Sequence, residues 1–121
     1  MNNWGVAVDQ ATGRVWVARP VAGEVLVFDA ELTLVSRIKV GCAPRDLAID
    51  QKRRVILIGN YTDGTVSLVN MDTMRVYKTL RFPGRWPVAR LRGVLVGIDG
   101  KWYVSTSSGV WAIDPIPAAG R

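Results

Sequence analysis

The chain has 121 residues, 49% of them apolar and 21% charged, so it is long enough for one domain with a core and too apolar to be disordered. Sixteen Lys and Arg against ten Asp and Glu leave a net +6, a charge compatible with an anionic partner. Histidine is absent, removing the commonest general base and metal ligand together, and the single Cys42 rules out an internal disulfide.

Short β-rich runs punctuated by turn residues follow one another along the chain. The first unit reads "WGVAVD" (4–9), "RVWVAR" (14–19), "EVLVFD" (24–29) and "LVSRIKV" (34–40), joined through Thr12-Gly13, Ala22-Gly23 and Glu31-Leu32-Thr33. These links have the length that joins antiparallel neighbours, so four strands make one unit. A shift of 41 positions lays Asp46-Leu47-Ala48-Ile49-Asp50 on Gly5-Val6-Ala7-Val8-Asp9 and Gly64–Asn70 on Gly23–Asp29. The second unit accordingly predicts strands "DLAID", "VILIG", "TVSLVN" and "RVYKTLR", with Asp63-Gly64 as a hairpin turn.

The third unit is announced by punctuation. Gly41-Cys42-Ala43-Pro44 and Gly84-Arg85-Trp86-Pro87 both read G-x-x-P, and after six extra residues, "VARLRG", come "VLVGID", the Asp99-Gly100 turn, "KWYVST" and "GVWAID". A fourth strand is missing, because "PIPAAGR" carries two prolines that cannot donate to a ladder.

Runs such as "VWV", "VLVF" and "VILI" are apolar at consecutive positions. Strand side chains alternate between faces, so these sheets must be covered on both sides. Four-stranded antiparallel units stacked face to face on a period near 41 residues describe blades of a β-propeller. A β-sandwich is the rival, but it does not predict a period.

The stretch "GVAVDQATGRVWVA…GEVLVFD…VGCAPRDLAID…ILIGNYTDGTVSLVN" resembles the YVTN-type propeller repeat, with Ile58-Gly59-Asn60 where that repeat has Val-Thr-Asn. "IDGKWYVSTSSGVWAIDP" is similar to blades of NHL and gluconolactonase-like propellers. The resemblance implies a fold far more than an activity, since such propellers include enzymes and plain binding scaffolds.

The expected architecture is therefore all-β, a partial propeller of about three blades over residues 1–121: blade 1 about 4–40, blade 2 about 46–81 and an incomplete blade 3 about 93–114. Closed propellers have typically four to eight blades. Three leave apolar flanks, expected around Val15, Trp16 and Val25 on one side and Tyr103 and Trp111 on the other. Two copies meeting head to tail twice would close a six-bladed ring, so a homodimer is expected; a completing chain of another kind, or a chain that is a piece of a longer propeller, is the alternative. Only Met1-Asn2-Asn3 precedes the first inner strand, too little to supply the missing strand of blade 3. No leader-like segment or bilayer-long apolar run is present, and with one cysteine a cytoplasmic location is expected.

Chemistry is sparser. Asp9, Asp50 and Asp99 are read as ending successive inner strands, near the axis, where a ring of carboxylates holds a divalent cation such as calcium. The gluconolactonase-like resemblance implies a metal site of that kind and, with it, a lactonase or lyase activity. Each Asp also directly precedes a turn and is suited to capping it, and this is the preferred reading, with no cofactor. Asn60 and Thr106 occupy equivalent ends of second strands, at one rim of the channel. The hydroxyls Ser105 to Ser108 have no base to activate them and form a polar turn. Between Thr73 and Ile98 stand Arg75, Lys78, Arg81, Arg85, Arg90 and Arg92 with no acidic residue, interleaved with Phe82 and Trp86. Cations mixed with an aromatic such as Trp86 suit an acidic protein or a nucleic acid, but a solvated rim, with Arg stems over apolar surface and their heads in water, is the preferred reading. Cys42 is expected to be a partly buried structural residue. The function that follows is a non-catalytic binding or scaffold module that closes its ring by self-association.

Overall fold

A computed structural model describes residues 5–82 and 90–118, and they form three antiparallel sheets with no helix. The first sheet is the meander β1 (Val6–Val8), β2 (Val15–Arg19), β3 (Glu24–Phe28) and β4 (Leu34–Lys39). The second is β5 (Pro44–Asp50), β6 (Val55–Asn60), β7 (Thr65–Asn70) and β8 (Arg75–Arg81). The third has three strands, β9 (Leu91–Val96), β10 (Trp102–Thr106) and β11 (Gly109–Ile113). The first strands β1, β5 and β9 approach one another from blade to blade, which makes them the inner strands of a propeller arc.

The repeat is carried by turn chemistry. Asp9 and Asp50 begin the same link, and Gly13 at its end has φ 77°. In blade 2 that left-handed position is filled by Arg54 at φ 59°, a strained choice for a side chain with a Cβ. The second blade is the centre of the molecule, with every residue of β6 and β7 buried. One of its faces packs Ile56, Ile58 and Val69 against Trp16, Val25 and Val27 of blade 1; the other packs Leu57 and Leu68 against Val94, Trp102 and Val104 of blade 3.

The faces expected to be bare need partial correction. Trp16 and Val25 are wholly buried against blade 2, because the pleat turns them inward while Val6, Val8, Val15 and Val17 share the opposite face. Trp111 likewise leans inward, its ring 5.4 Å from that of Phe82. The outward face of blade 3 carries Leu95, Tyr103 and Val110.

The third inner strand also begins earlier than the sequence suggested, at Leu91, so part of "VARLRG" is strand. It ends at Val96. The Gly97 N–H donates to the Lys101 carbonyl as the Asp9 N–H donates to that of Arg14. Gly97 therefore takes the place of Asp9, and Asp99 lies within the turn instead of ending the strand. Beyond Ile113 the chain leaves blade 3 and crosses to blade 2, where the Tyr77 hydroxyl donates to the Ile116 carbonyl at 2.5 Å. Among the described residues β11 has no outer neighbour, and no helix is long and apolar enough to cross a membrane.

Candidate functional site

The inner strands have two ends, and these differ in charge. At the end carrying the aspartates, Asp9 is buried and receives Arg54 in a two-pronged pair, Nη1 to Oδ1 and Nη2 to Oδ2, both 2.7 Å. It also accepts from the Ala11 N–H at 3.1 Å and the Thr12 hydroxyl at 2.8 Å. The guanidinium holds the Asp9 carboxyl far below the usual carboxylate range despite burial, and the carboxylate in turn raises Arg54. Arg54 further donates to Asp72 at 3.1 Å. Asp50 repeats the arrangement one blade on, accepting from the Arg53 N–H at 3.0 Å and from the buried Trp102 Nε1 at 2.9 Å. Each of these aspartates caps its own turn and ties its blade to the next.

Asp99 is elsewhere. It is exposed on the outward side of blade 3, accepting from the Lys101 N–H at 3.1 Å and the Tyr103 hydroxyl at 2.6 Å. The Tyr103 hydrogen bond lowers the Asp99 carboxyl, and the carboxylate raises the Tyr103 phenol. Asp9, Asp50 and Asp99 are thus not brought together, and among the described residues no three Cys, Asp or Glu side chains form a ligand set. A divalent cation at Asp9 would have to displace a guanidinium from both oxygens, so these carboxylates as placed do not fit one.

Asn60 and Thr106 end β6 and β10 at the opposite level. The Asn60 Nδ2 donates to the hydroxyls of Thr65 and Ser67, both at 3.0 Å, while its buried Oδ1 has no partner among the described residues. Thr106 accepts from the Ser108 N–H at 3.0 Å, and Ser107 Oγ accepts from the Arg90 N–H at 3.0 Å. These contacts order the loops around the inner-strand starts. Cys42 is exposed, contrary to the partly buried reading: its turn is held to the β6–β7 link by its backbone, the N–H donating to Asp63 at 2.8 Å and the carbonyl accepting from the Thr62 N–H at 3.3 Å.

The basic stretch is divided by the fold. Arg75, Lys78 and Arg81 are exposed along β8, the outer strand of blade 2, whereas Arg90 and Arg92 stand at the start of the inner strand β9. Arg85 and Trp86 lie outside the described residues. At that inner end a cavity of about 370 Å³ is lined by Arg45, Asp46, Tyr61, Leu91 and Arg92, with Gly5 and Gly59 in its wall. Arg45 stacks over Tyr61, its guanidinium carbon 4.4 Å from the ring centroid, and those of Arg90 and Arg92 stand at 5.7 Å each.

Sequence reasoning missed Arg45 and Tyr61 as members of this group. The signal was present but displaced. Pro44 pairs with Asn60 and Leu91 with Thr106, so Arg45 and Arg92, the second residues of β5 and β9, are structural equivalents. The extra residues before β9 put them out of the 41-residue register.

Comparison with known proteins agrees with the architecture. No family model matches the chain, and no curated protein does. Solved structures do match. Hydrazine synthase of Kuenenia stuttgartiensis is similar over 93% of this chain and 32% of its own, with 19% identity and a TM-score of 0.78. The dihydro-heme d1 dehydrogenase NirN, solved in complex with DHE, is similar over 96% of this chain and 25% of its own, with 21% identity and a TM-score of 0.75. The Cps50 (Swd1) β-propeller domain of Myceliophteria thermophila is similar over 95% of this chain and 38% of its own, with 14% identity and a TM-score of 0.74. The fold is that of a partial β-propeller, and the chain spans between a quarter and two fifths of the length of these structures.

Proposed function

We propose that this chain is a YVTN-type propeller arc that closes a six-bladed ring with a second copy and acts as a non-catalytic binding module. The observation that supports it is the pair of uncovered blade faces. Val6 and Val8 on blade 1 are 61% and 43% exposed, and Leu95 and Val110 on blade 3 are 60% and 74% exposed. Such patches on two opposite flanks mark interaction surfaces, and a two-fold operator buries each against the other.

Light scattering tests this: the homodimer has twice the 13.3 kDa of one chain, and Val8→Asp or Leu95→Asp should return it to the single mass. A well-behaved wild-type monomer would refute it. The larger propellers that the chain matches favour a second reading, in which the remaining blades come from a different polypeptide; the chain alone would then run as a monomer or aggregate, and only the completing chain would give a defined complex.

The outer-strand cations Arg75, Lys78 and Arg81 offer an acidic protein or nucleic acid a basic face, for which gel retardation over a salt series is the check. The lactonase-type alternative requires a divalent cation such as calcium, whereas Asp9 and Asp50 are engaged by Arg54 and Trp102.

A further inference from the structure

We infer that the cavity at the start of the inner strands is a binding site for a small multivalent oxyanion, a polyphosphate or polycarboxylate, held by Arg45, Arg90 and Arg92 over Tyr61. The three guanidinium carbons lie 4.4, 5.7 and 5.7 Å from one ring centroid. All three therefore fall within about 11 Å of one another, close to the distance over which 0.1 M salt screens charge. Like charges gathered so closely repel, and the usual remedy is a neighbouring carboxylate. The chain uses that remedy elsewhere: Arg19 and Arg37 share Glu24, Arg53 has Asp50, and Arg54 has Asp9 and Asp72. Arg45, Arg90 and Arg92 make no ion pair among the described residues.

One carboxylate lines the cavity, that of Asp46, and its Oδ2 accepts from the Val94 N–H of the adjoining blade at 2.8 Å. Arg45 and Arg92 in its wall, with Arg90 beside them at the Tyr61 ring, set three positive charges against that one. Tyr61 gathers the three guanidiniums around one ring, and a guanidinium's planar fork suits two-pronged binding of phosphate or carboxylate. The wall is closely packed at its two glycines, since a Cβ on Gly59 would collide with the Leu91 side chain and one on Gly5 with the Arg45 carbonyl. A volume of about 370 Å³ is at the small end of ligand pockets, matching a compact ion better than a polymer.

All four residues belong to one chain, so the site stands or falls separately from ring closure. The experiment is isothermal titration calorimetry of the full chain with sodium pyrophosphate and, separately, trisodium citrate, at low and at physiological salt. Saturable binding with one ion per chain is expected. Arg45→Ala or Arg92→Ala should weaken it by about tenfold or more, the loss of a charged hydrogen bond. Arg45→Lys, which keeps the charge and loses the planar fork, should weaken it severalfold, and Lys52→Ala in the exposed link between β5 and β6 should leave it unchanged. The tighter of the two ions identifies phosphate or carboxylate as the natural group. Absence of saturable binding to either ion at low salt overturns the inference. So does binding that Lys52→Ala weakens as much as Arg45→Ala, which would mean diffuse attraction to a basic surface.

Discussion

Replacing Arg54 by alanine removes the clamp between blades 1 and 2 and leaves Asp9, 1% exposed, without its cation. Breaking a buried ion pair from one side costs about 3–5 kcal/mol. Asp9 keeps the Ala11 N–H and the Thr12 hydroxyl, and Arg54 is itself partly exposed at 17%, so the lower end applies, about 3 kcal/mol. For a chain of this length that lowers the melting temperature by about 10 °C. Arg54→Gly should be less harmful than Arg54→Ala by about 1 kcal/mol, because the backbone sits at φ 59°, where a Cβ is strained. The pH dependence separates the ion pair from mere packing. Asp9 is depressed below its ordinary value of 3.8, so its contribution is present above about pH 4 and drains away as the pH falls below that. Urea melts followed by tryptophan fluorescence between pH 7 and pH 2 should show wild type and Arg54→Ala converging in acid. An Asp9→Ala, Arg54→Ala cycle at pH 7 with a coupling under about 0.5 kcal/mol would refute the clamp, and so would a gap that is constant with pH.

Other outcomes follow from the same contacts. Trp102→Phe keeps one aromatic ring but loses both the donor to Asp50 and part of a fully buried indole, and should cost about 2–4 kcal/mol in a denaturant melt. Gly5→Ala drives a methyl into the Arg45 carbonyl, a backbone atom that cannot swing aside, and should destabilise by about 2–3 kcal/mol while pushing β1 from β5. Native protein should react with one equivalent of a thiol reagent at Cys42 without denaturant, since that side chain is exposed.

Much of the fold is legible in the residues. The 41-residue self-similarity, the Asp63-Gly64 turn and the doubly apolar runs of β6 and β7 state stacked four-stranded sheets, because burial on both faces is a property of consecutive residues and needs no tertiary knowledge. The turn-capping role open to Asp9 and Asp50 could also be named, since an Asp before a turn reaches local N–H groups.

The chain alone determined which segments pair with their neighbours and that the flanks of the arc would be apolar. Tertiary structure decided which side of each blade faces out, because that depends on the direction of the pleat and not on which residues are apolar: Trp16 and Val25 turned inward, and Val6 and Val8 outward. It also decided the charge map. One run of cations in the sequence became two separate places, β8 and the start of β9, since the last strand of one blade lies outermost and the first of the next lies innermost. Arg45 joined Arg90 and Arg92 over Tyr61 only because inner strands of adjacent blades converge on the axis, bringing together guanidiniums that the sequence keeps far apart.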